Sequence, residues 1–261
     1  DALHRDLGSR VLKTIARINL HRIRLRDGLS EQEAIALYSA SGIVASVERH
    51  ALRYTMVTPN DPYFVQQWGL NKIDAPGAWG ITTEGKEILI AVIDTGVDYT
   101  HPDLQDRIWI NPGEVPGNGI DDDENGFVDD VRGWDFAGAW ENELDDADND
   151  PMDHAGHGTH VAGIIAARWD NNTGIAGIFP KARIMVIKVQ ADYSDAMETF
   201  DVIDAVGYAR AKGARIINLS LGGKSASHSE YEAFQELRDA GILAVCAAGN
   251  DDTNMDNLSA S

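Results

Sequence analysis

Three residue types stand where chemistry is easiest to place in this chain. Asp94 follows the apolar run from Lys86 to Ile93 and opens an Asp-Thr-Gly turn. His157 stands between Gly156 and Gly158 and begins the run His157-Gly158-Thr159-His160-Val161-Ala162-Gly163. Asn250 closes Ala247-Ala248-Gly249-Asn250. A carboxylate at a strand end can orient an imidazole and stabilise its protonated form. An imidazole near a helix start, where the dipole disfavours positive charge, can act as a base. A side-chain amide can donate to a developing oxyanion, and flanking glycines let a substrate backbone come close. Acid, base and oxyanion donor together are the parts of acyl transfer, yet no serine follows in a nucleophile's setting. Plainer readings exist: Asp94 as a turn cap, His157 as a helix cap, and His160 as a packed core residue. A metal reading also exists, because Asp153, His154, His157 and His160 form an acid and three histidines at spacing three. Histidines on one helix face can hold zinc, although Gly156 and Gly158 weaken any helix that includes His154.

The elements that must carry these groups alternate in kind. Residues 86–93, 184–189, 215–219 and 242–247 are short apolar runs and read as buried strands. Residues 157–168, 197–212 and 229–240 read as helices. Apolar strands alternating with helices predict a parallel α/β sheet covered on both faces. Functional residues of such sheets gather at the carboxyl ends of strands, where Asp94, Ser220 and Asn250 fall. The chain ends at Ser261, soon after a strand, so this doubly wound sheet is expected to be incomplete at its C-terminal end.

Residues 10–54 have a different rhythm. Residues 10–15 and 18–25 read as strands, and Gly28 marks a turn. Ser30 with Glu33 forms a capping-box signature opening a helix to about Tyr38. Residues 43–47 read as a further strand. This small α+β unit is too short to be secure alone. Thr58-Pro59-Asn60-Asp61-Pro62 marks a break, which divides the chain into 1–57 and 58–261.

The charge is strongly acidic, at −20 over 261 residues. Nucleic acid is an unsuitable partner, since phosphate binding needs a basic surface. No run of apolar residues is long enough for a membrane helix, and no signal peptide is visible at residue 1. The single Cys246 forms no internal disulfide. Residues 111–153 hold fifteen acids against one base, Arg132. Within them, Asp121, Asp123, Asn125 and Asp129 take EF-hand-like loop positions, with Gly126 at the turn and the Phe127 carbonyl beside it. Arg132 replaces the closing Glu, so a full EF-hand is excluded, and Asp130 is the candidate for the remaining oxygen. Calcium is the expected cation; a solvated acidic loop is the alternative.

Four signatures now stand in order: Asp94-Thr95-Gly96, the His157 run, Asn218-Leu219-Ser220-Leu221-Gly222-Gly223, and Ala247-Ala248-Gly249-Asn250. Together they resemble the subtilisin-like serine proteases, and through Thr58-Pro59-Asn60-Asp61-Pro62-Tyr63-Phe64 and Asn172-Thr173-Gly174-Ile175-Ala176-Gly177 the chain most resembles their thermitase-like branch. The stretch between Asp94 and His157 is longer than the family pattern. The resemblance implies a subtilisin-like fold and a secreted endopeptidase acting on polypeptides through an acyl-enzyme. It implies that Asp94 orients His157 and that His157 serves as base and then acid. Asn250 would serve the oxyanion. Ser220, Leu221 and Gly222 would pair with the substrate backbone, and Ala248 and Gly249 would line the specificity pocket. It also implies calcium at Asp61, Asp103 and Asn171 with the carbonyls of Arg168, Thr173 and Ile175, and at Asp135, Asp148 and Asp150. Residues 1–57 would be part of a propeptide acting in cis, released between about Tyr54 and Thr58.

The departure from the family is the nucleophile. Subtilases carry it in a Gly-Thr-Ser-Met-Ala run well past the asparagine, and no Gly-Thr-Ser occurs in this sequence. The expectation is therefore a fragment that does not hydrolyse peptides alone. The rival is a non-catalytic pseudoprotease that binds calcium and peptide. Oligomeric state and side-chain preference are not legible.

Overall fold

A computed structural model describes residues 2–50, 57–83, 85–137, 147–192, 197–223 and 227–250. The chain forms two compact units, Asp1–Tyr54 and Thr55–Ser261.

The first unit begins with a short helix, α1 (Ala2–Asp6), that the sequence pattern does not announce. Strands β1 (Arg10–Ile15) and β2 (Leu20–Arg24) form an antiparallel hairpin. Asn19 takes the left-handed conformation at its turn, which an Asn side chain tolerates. Helix α2 (Glu31–Ala40) starts with the anticipated capping box: Ser30 Oγ accepts from Glu33 N, and Glu33 accepts from Ser30 N at 3.0 Å. Tyr38, on α2, is buried and hydrogen-bonds His4 Nδ1 at 3.0 Å. His4 Nε2 meets His21 Nδ1 at 2.8 Å. Residues 43–47 are not a strand. A β-branched run becomes a strand only by pairing, and β1 and β2 pair with each other alone among the described residues.

The second unit is built on a five-stranded sheet ordered β4-β5-β3-β6-β7, with every pairing parallel. Its strands are β3 (Ile88–Asp94), β4 (Gly133–Asp135), β5 (Ala182–Lys188), β6 (Ile216–Leu219) and β7 (Leu243–Cys246). Side chains alternate across a strand, and β3 serves both faces. Ala91 and Ile93 join one core with Met185, Ile187, Ile217 and Leu219. Helices α6 (Thr199–Ala211) and α7 (His228–Asp239) cover that side through Val202, Val206, Ala209 and Leu237. Ile90 and Val92 join the other core with Ile184 and Val186, under Ala162 and Ala166 of α5 (His157–Ala166). Complete burial of each such Val, Leu, Ile or Met side chain contributes roughly 1.5–3 kcal/mol. Two-sided coverage is why these strands read as unbroken apolar runs.

Two short helices precede β3: α3 (Trp68–Lys72) and α4 (Ala75–Ile81). Their anchor is Trp79, whose ring lies 4.2 Å from that of Trp169 and whose Nε1 donates to Ile178 O at 3.0 Å. Among the described residues β7 pairs on one side only, and Leu243 and Val245 are exposed. Among the described residues no helix is long and apolar enough to cross a membrane.

Candidate active site

Chain order sets the location. From β3 the chain runs to the edge strand β4 and returns through α5 to β5 on one side, and then crosses through α6 to β6 on the other. Carboxyl ends of strands at such a reversal form a crevice. Asp94 ends β3 there and is fully buried. Ile93 pairs with Leu219, and Leu219 with Cys246. The exits of β3, β6 and β7 are therefore neighbours. Ser220, Leu221 and Gly222 follow β6, and Ala248, Gly249 and Asn250 follow β7. The ladder runs on past β7, as Ala247 N donates to Leu219 O. Asn218 Nδ2 holds Ser220 Oγ at 2.9 Å. Asn250 is exposed, just after Gly249 at φ +86°.

His157 is the first residue of α5. Its Nδ1 lies 2.6 Å from Asp94 Oδ1, which also accepts from Thr95 N at 2.8 Å. An ionised carboxylate only accepts, so Nδ1 carries the proton and Nε2 is left as the free acceptor. The half-exposed ring can present that nitrogen to a reacting group, while the carboxylate behind it is dry. The contact depends on a glycine. A Cβ on Gly158 would lie 2.0 Å from Gly96 O and 3.1 Å from Asp94 Cβ. Only a residue without a side chain lets α5 approach the end of β3 so closely.

The histidine-rich run does not converge on a metal. His157 faces Asp94, His154 Nε2 lies 3.6 Å from Asp192 Oδ2, and Asp153 accepts from Thr95 and Thr159. His160 is exposed, not packed in the core as the sequence suggested. It sits on α5 away from the small residues Gly158, Ala162, Gly163 and Ala166, which are the buried positions of that helix.

The candidate calcium residues fall into three settings. Asp61 and Asp103 are both buried. Asp61 accepts from the backbone of Asp170 and Asn171. Asp103 accepts from Asn171 Nδ2 at 2.6 Å and Ile175 N at 3.0 Å. Asn171 Oδ1 in turn accepts from Thr173 N, and Arg168 N donates to Asp103 O. Asp170, Asn172 and Gly174 are left-handed at alternate positions, which curls this loop around the two acids. Among the described residues no cationic side chain pairs with either carboxylate.

The acidic segment is arranged differently from an EF-hand. Asp121 accepts from Asn125 N and Gly126 N. Asp129 accepts from the backbone of Gly117, Asn118 and Gly119. Phe127 packs edge-on against Trp134, Phe136 and Tyr208. The carboxylates that converge are Glu114, Asp123 and Asp130, with ligand oxygens within 4.8 Å of one another. Lys212 contacts Asp123 and lies 3.0 Å from Asp130. Glu114 Oε2 and Asp123 Oδ1 are buried with no partner among the described residues. Burial, then the charges of Asp130, Asp123 and Asp122, hold the Glu114 pKa above the usual carboxylate range. Glu114 escaped the sequence reading because it precedes the loop pattern.

Asp135 and Asp148 share a backbone bridge, and Asp148 Oδ1 accepts from Asp150 N. Their carboxylates do not gather. Asp135 holds Lys188 Nζ at 2.7 Å, and Asp150 accepts from Tyr99 OH. Lys188 is buried between Asp135 and Asp192 at 2.7 and 2.8 Å. Burial alone would lower the Lys188 pKa; the two carboxylates outweigh it and raise it.

The model of the subtilase family matches residues 85–261, the stretch that holds these strand ends and the His–Asp pair. The chain belongs to the subtilase family. Thermitase of Thermoactinomyces vulgaris is 40% identical over 194 residues, covering 74% of this subtilase and 58% of thermitase. A thermophilic serine proteinase of Bacillus sp. (strain AK1) is 38% identical over 194 residues, 74% of this chain and 41% of that protein. The major intracellular serine protease of Bacillus subtilis (strain 168) is 36% identical over 183 residues, 70% of this chain and 49% of that protein. This subtilase thus spans about half the length of the curated relatives it matches. Among solved structures, the S41 psychrophilic protease aligns with a TM-score of 0.49 at 29% identity, over 65% of this chain and 48% of that one.

Proposed function

We propose that this subtilase is the Asp–His–Asn part of a serine endopeptidase. The observation that carries the reading is the 2.6 Å contact between buried Asp94 and His157 Nδ1. In that reading Asp94 keeps the proton on Nδ1 and stabilises the imidazolium. His157 Nε2 takes the proton of an attacking serine hydroxyl and returns it to the leaving amine. The Asn250 amide donates to the oxyanion, and its loss costs about 10²–10³ in rate. Ser220, Leu221 and Gly222 add a strand to the substrate backbone, and Ala248 and Gly249 line the pocket beside it. Residues 1–261 contain no Gly-Thr-Ser run to carry that serine. The 261-residue polypeptide by itself therefore hydrolyses no peptide.

Residues 1–57 are read as part of a propeptide, released near Tyr54–Thr58, and the enzyme as secreted. The separate compact unit ending at Tyr54 supports the first point. The second rests on resemblance, and the relatives include an intracellular protease.

Calcium belongs to the same reading. The Asp61–Asp103 loop fits it: two buried carboxylates without a cationic partner call for a bound cation, with Asn171 and the carbonyls of Arg168, Thr173 and Ile175 as further oxygens. In the acidic segment the fit is partial: Glu114 Oε2 and Asp123 Oδ1 have no partner among the described residues, but Lys212 already pairs with Asp123 and Asp130. Asp135, Asp148 and Asp150 do not fit, because Lys188 already neutralises Asp135. Bound calcium would supply charge balance and rigidity, and no bond-making step.

A serine-directed fluorophosphonate tests the reading. The complete gene product should label once per molecule, and lose labelling on His157→Ala. The 261-residue chain should not label. Labelling of that chain would refute the missing nucleophile. Failure of the complete product to label would favour a non-catalytic peptide-binding protein.

A further inference from the structure

Asp153 lies four residues before His157 and touches neither His157 nor Asp94, yet it receives five hydrogen bonds. Its Oδ1 accepts from Thr95 Oγ1 at 2.9 Å, Ala155 N at 2.9 Å and Gly156 N at 2.7 Å. Its Oδ2 accepts from Thr159 N at 2.9 Å and Thr159 Oγ1 at 2.6 Å. Thr95 adjoins Asp94 at the end of β3. Gly156 and Thr159 flank His157 at the start of α5.

The direction of these bonds follows from charge. An ionised carboxylate has no proton to give, so both threonine hydroxyls must donate to it. Each hydroxyl then turns its lone pairs outward, and each meets a backbone N–H. Thr95 Oγ1 accepts from Gly158 N at 2.9 Å, and Thr159 Oγ1 accepts from Asp98 N at 2.8 Å. Two relays thus cross between the exit of β3 and the start of α5, one in each direction. The first joins the neighbour of Asp94 to the neighbour of His157. Burial alone would raise the Asp153 pKa; the bonds from Thr159, Gly156 and Thr95 outweigh it and hold the group below the usual carboxylate range.

We infer that Asp153 is a positioning residue that sets the Asp94–His157 distance through the Thr95 and Thr159 hydroxyls. The inference rests on the reading of Asp94 and His157 as the acid–base pair. An amide cannot replace the carboxylate. Asn at 153 must turn its NH2 group toward one set of donors, and on the Thr159 side that group would face the Thr159 N–H. A hydrocarbon at 95 removes the bond to Asp153 and leaves Gly158 N–H buried without an acceptor.

The test is solvent exchange of the His157 Nδ1 proton, followed by NMR on the 261-residue chain with labelled imidazole. Asp153→Asn and Thr95→Val should each speed exchange about tenfold or more, the equivalent of one charge-assisted hydrogen bond. Thr95→Ser, which keeps the hydroxyl, should behave as the parent. Folding of each variant is followed by near-ultraviolet circular dichroism. A folded Asp153→Asn with parent-like exchange overturns the inference. If Asp153→Asn does not fold, Thr95→Val decides alone, and parent-like exchange there overturns it equally. Asp94→Asn is the separate control. If the Nδ1 proton is unaffected by Asp94→Asn, the acid–base reading itself fails, whatever the Asp153 variant does.

Discussion

Gly158→Ala is the sharpest small perturbation of this site. The added Cβ would stand 2.0 Å from Gly96 O, where real Cβ atoms come no nearer than about 3.0 Å to a heavy atom. The obstacle is backbone, so relief requires α5 to withdraw from the β3 exit by about 1 Å. Asp94 lies on the far side of that gap. The 2.6 Å contact from His157 Nδ1 then opens to about 3.6 Å, beyond the reach of a hydrogen bond. Overpacking of this kind costs about 1–3 kcal/mol, and a 1 Å misplacement of a catalytic group costs about 10² in rate. Two assays read the result: thermal melting of the 261-residue chain, and the exchange-protected Nδ1 proton of His157. Both should change together, with the melting temperature falling by several degrees and the proton signal lost. A variant that keeps its melting temperature and its Nδ1 proton would refute the close packing of α5 on β3.

Chelation with EGTA should lower the melting temperature by roughly 5–10 °C if calcium saturates its site a hundredfold over Kd, and Asp103→Asn should abolish most of that response. Lys188→Ala leaves Asp135 buried and Asp192 beside it without their shared cation, and should destabilise by about 3–5 kcal/mol at neutral pH; a loss under about 1 kcal/mol in urea titration would count against the buried pair. Burial, then Glu198 and Asp204, raise Asp201 from 3.8 to about 6. Between those values the folded protein holds a proton that the unfolded chain has released, so stability falls as pH rises through that window. Asp201→Asn should therefore raise the melting temperature at pH 7 and leave it unchanged below pH about 3.8; an equal effect at both would show that Asp201 acts by other means.

The legible parts of this structure are those whose cause is local. Buried parallel strands announce themselves because both faces of β3 and β5 are covered, so no polar residue interrupts their middles, Ile88–Ile93 and Ile184–Ile187. The capping box at Ser30 and Glu33 is a bond between near neighbours, and it forms as read. Other parts were missed or misread for physical reasons. Strand β4 has only three residues, and its place comes from pairing with β5. Helix α4 contains Pro76, Gly77 and Gly80, poor helix formers, and is held by Trp79 against Trp169. The run 43–47 has the composition of a strand but no pairing partner among the described residues.

The site divides in the same way. Asp94 and His157 stand out because a strand end and a glycine-flanked histidine are local patterns, although only the fold brings them within 2.6 Å across 63 residues. Asp153 and Thr95 were present as an Asp shortly before a helix and a Thr after a strand, and nothing local links them. Lys188 and Lys212 decide which acidic groups are already neutralised, and both lie far in sequence from the carboxylates they meet. The EF-hand spacing at 121–130 omitted Glu114, whose carboxylate gathers with those of Asp123 and Asp130.

The central claim is that Asp94 and His157 act as one acid–base unit in peptide hydrolysis. The measurement that tests it most directly is kcat for a peptide substrate in the complete gene product carrying Asp94→Asn. A neutral amide keeps the shape but permits the wrong imidazole tautomer, so kcat should fall by about 10⁴ while KM stays close to the parent value. A loss of less than about tenfold, or a loss confined to KM, would contradict the account.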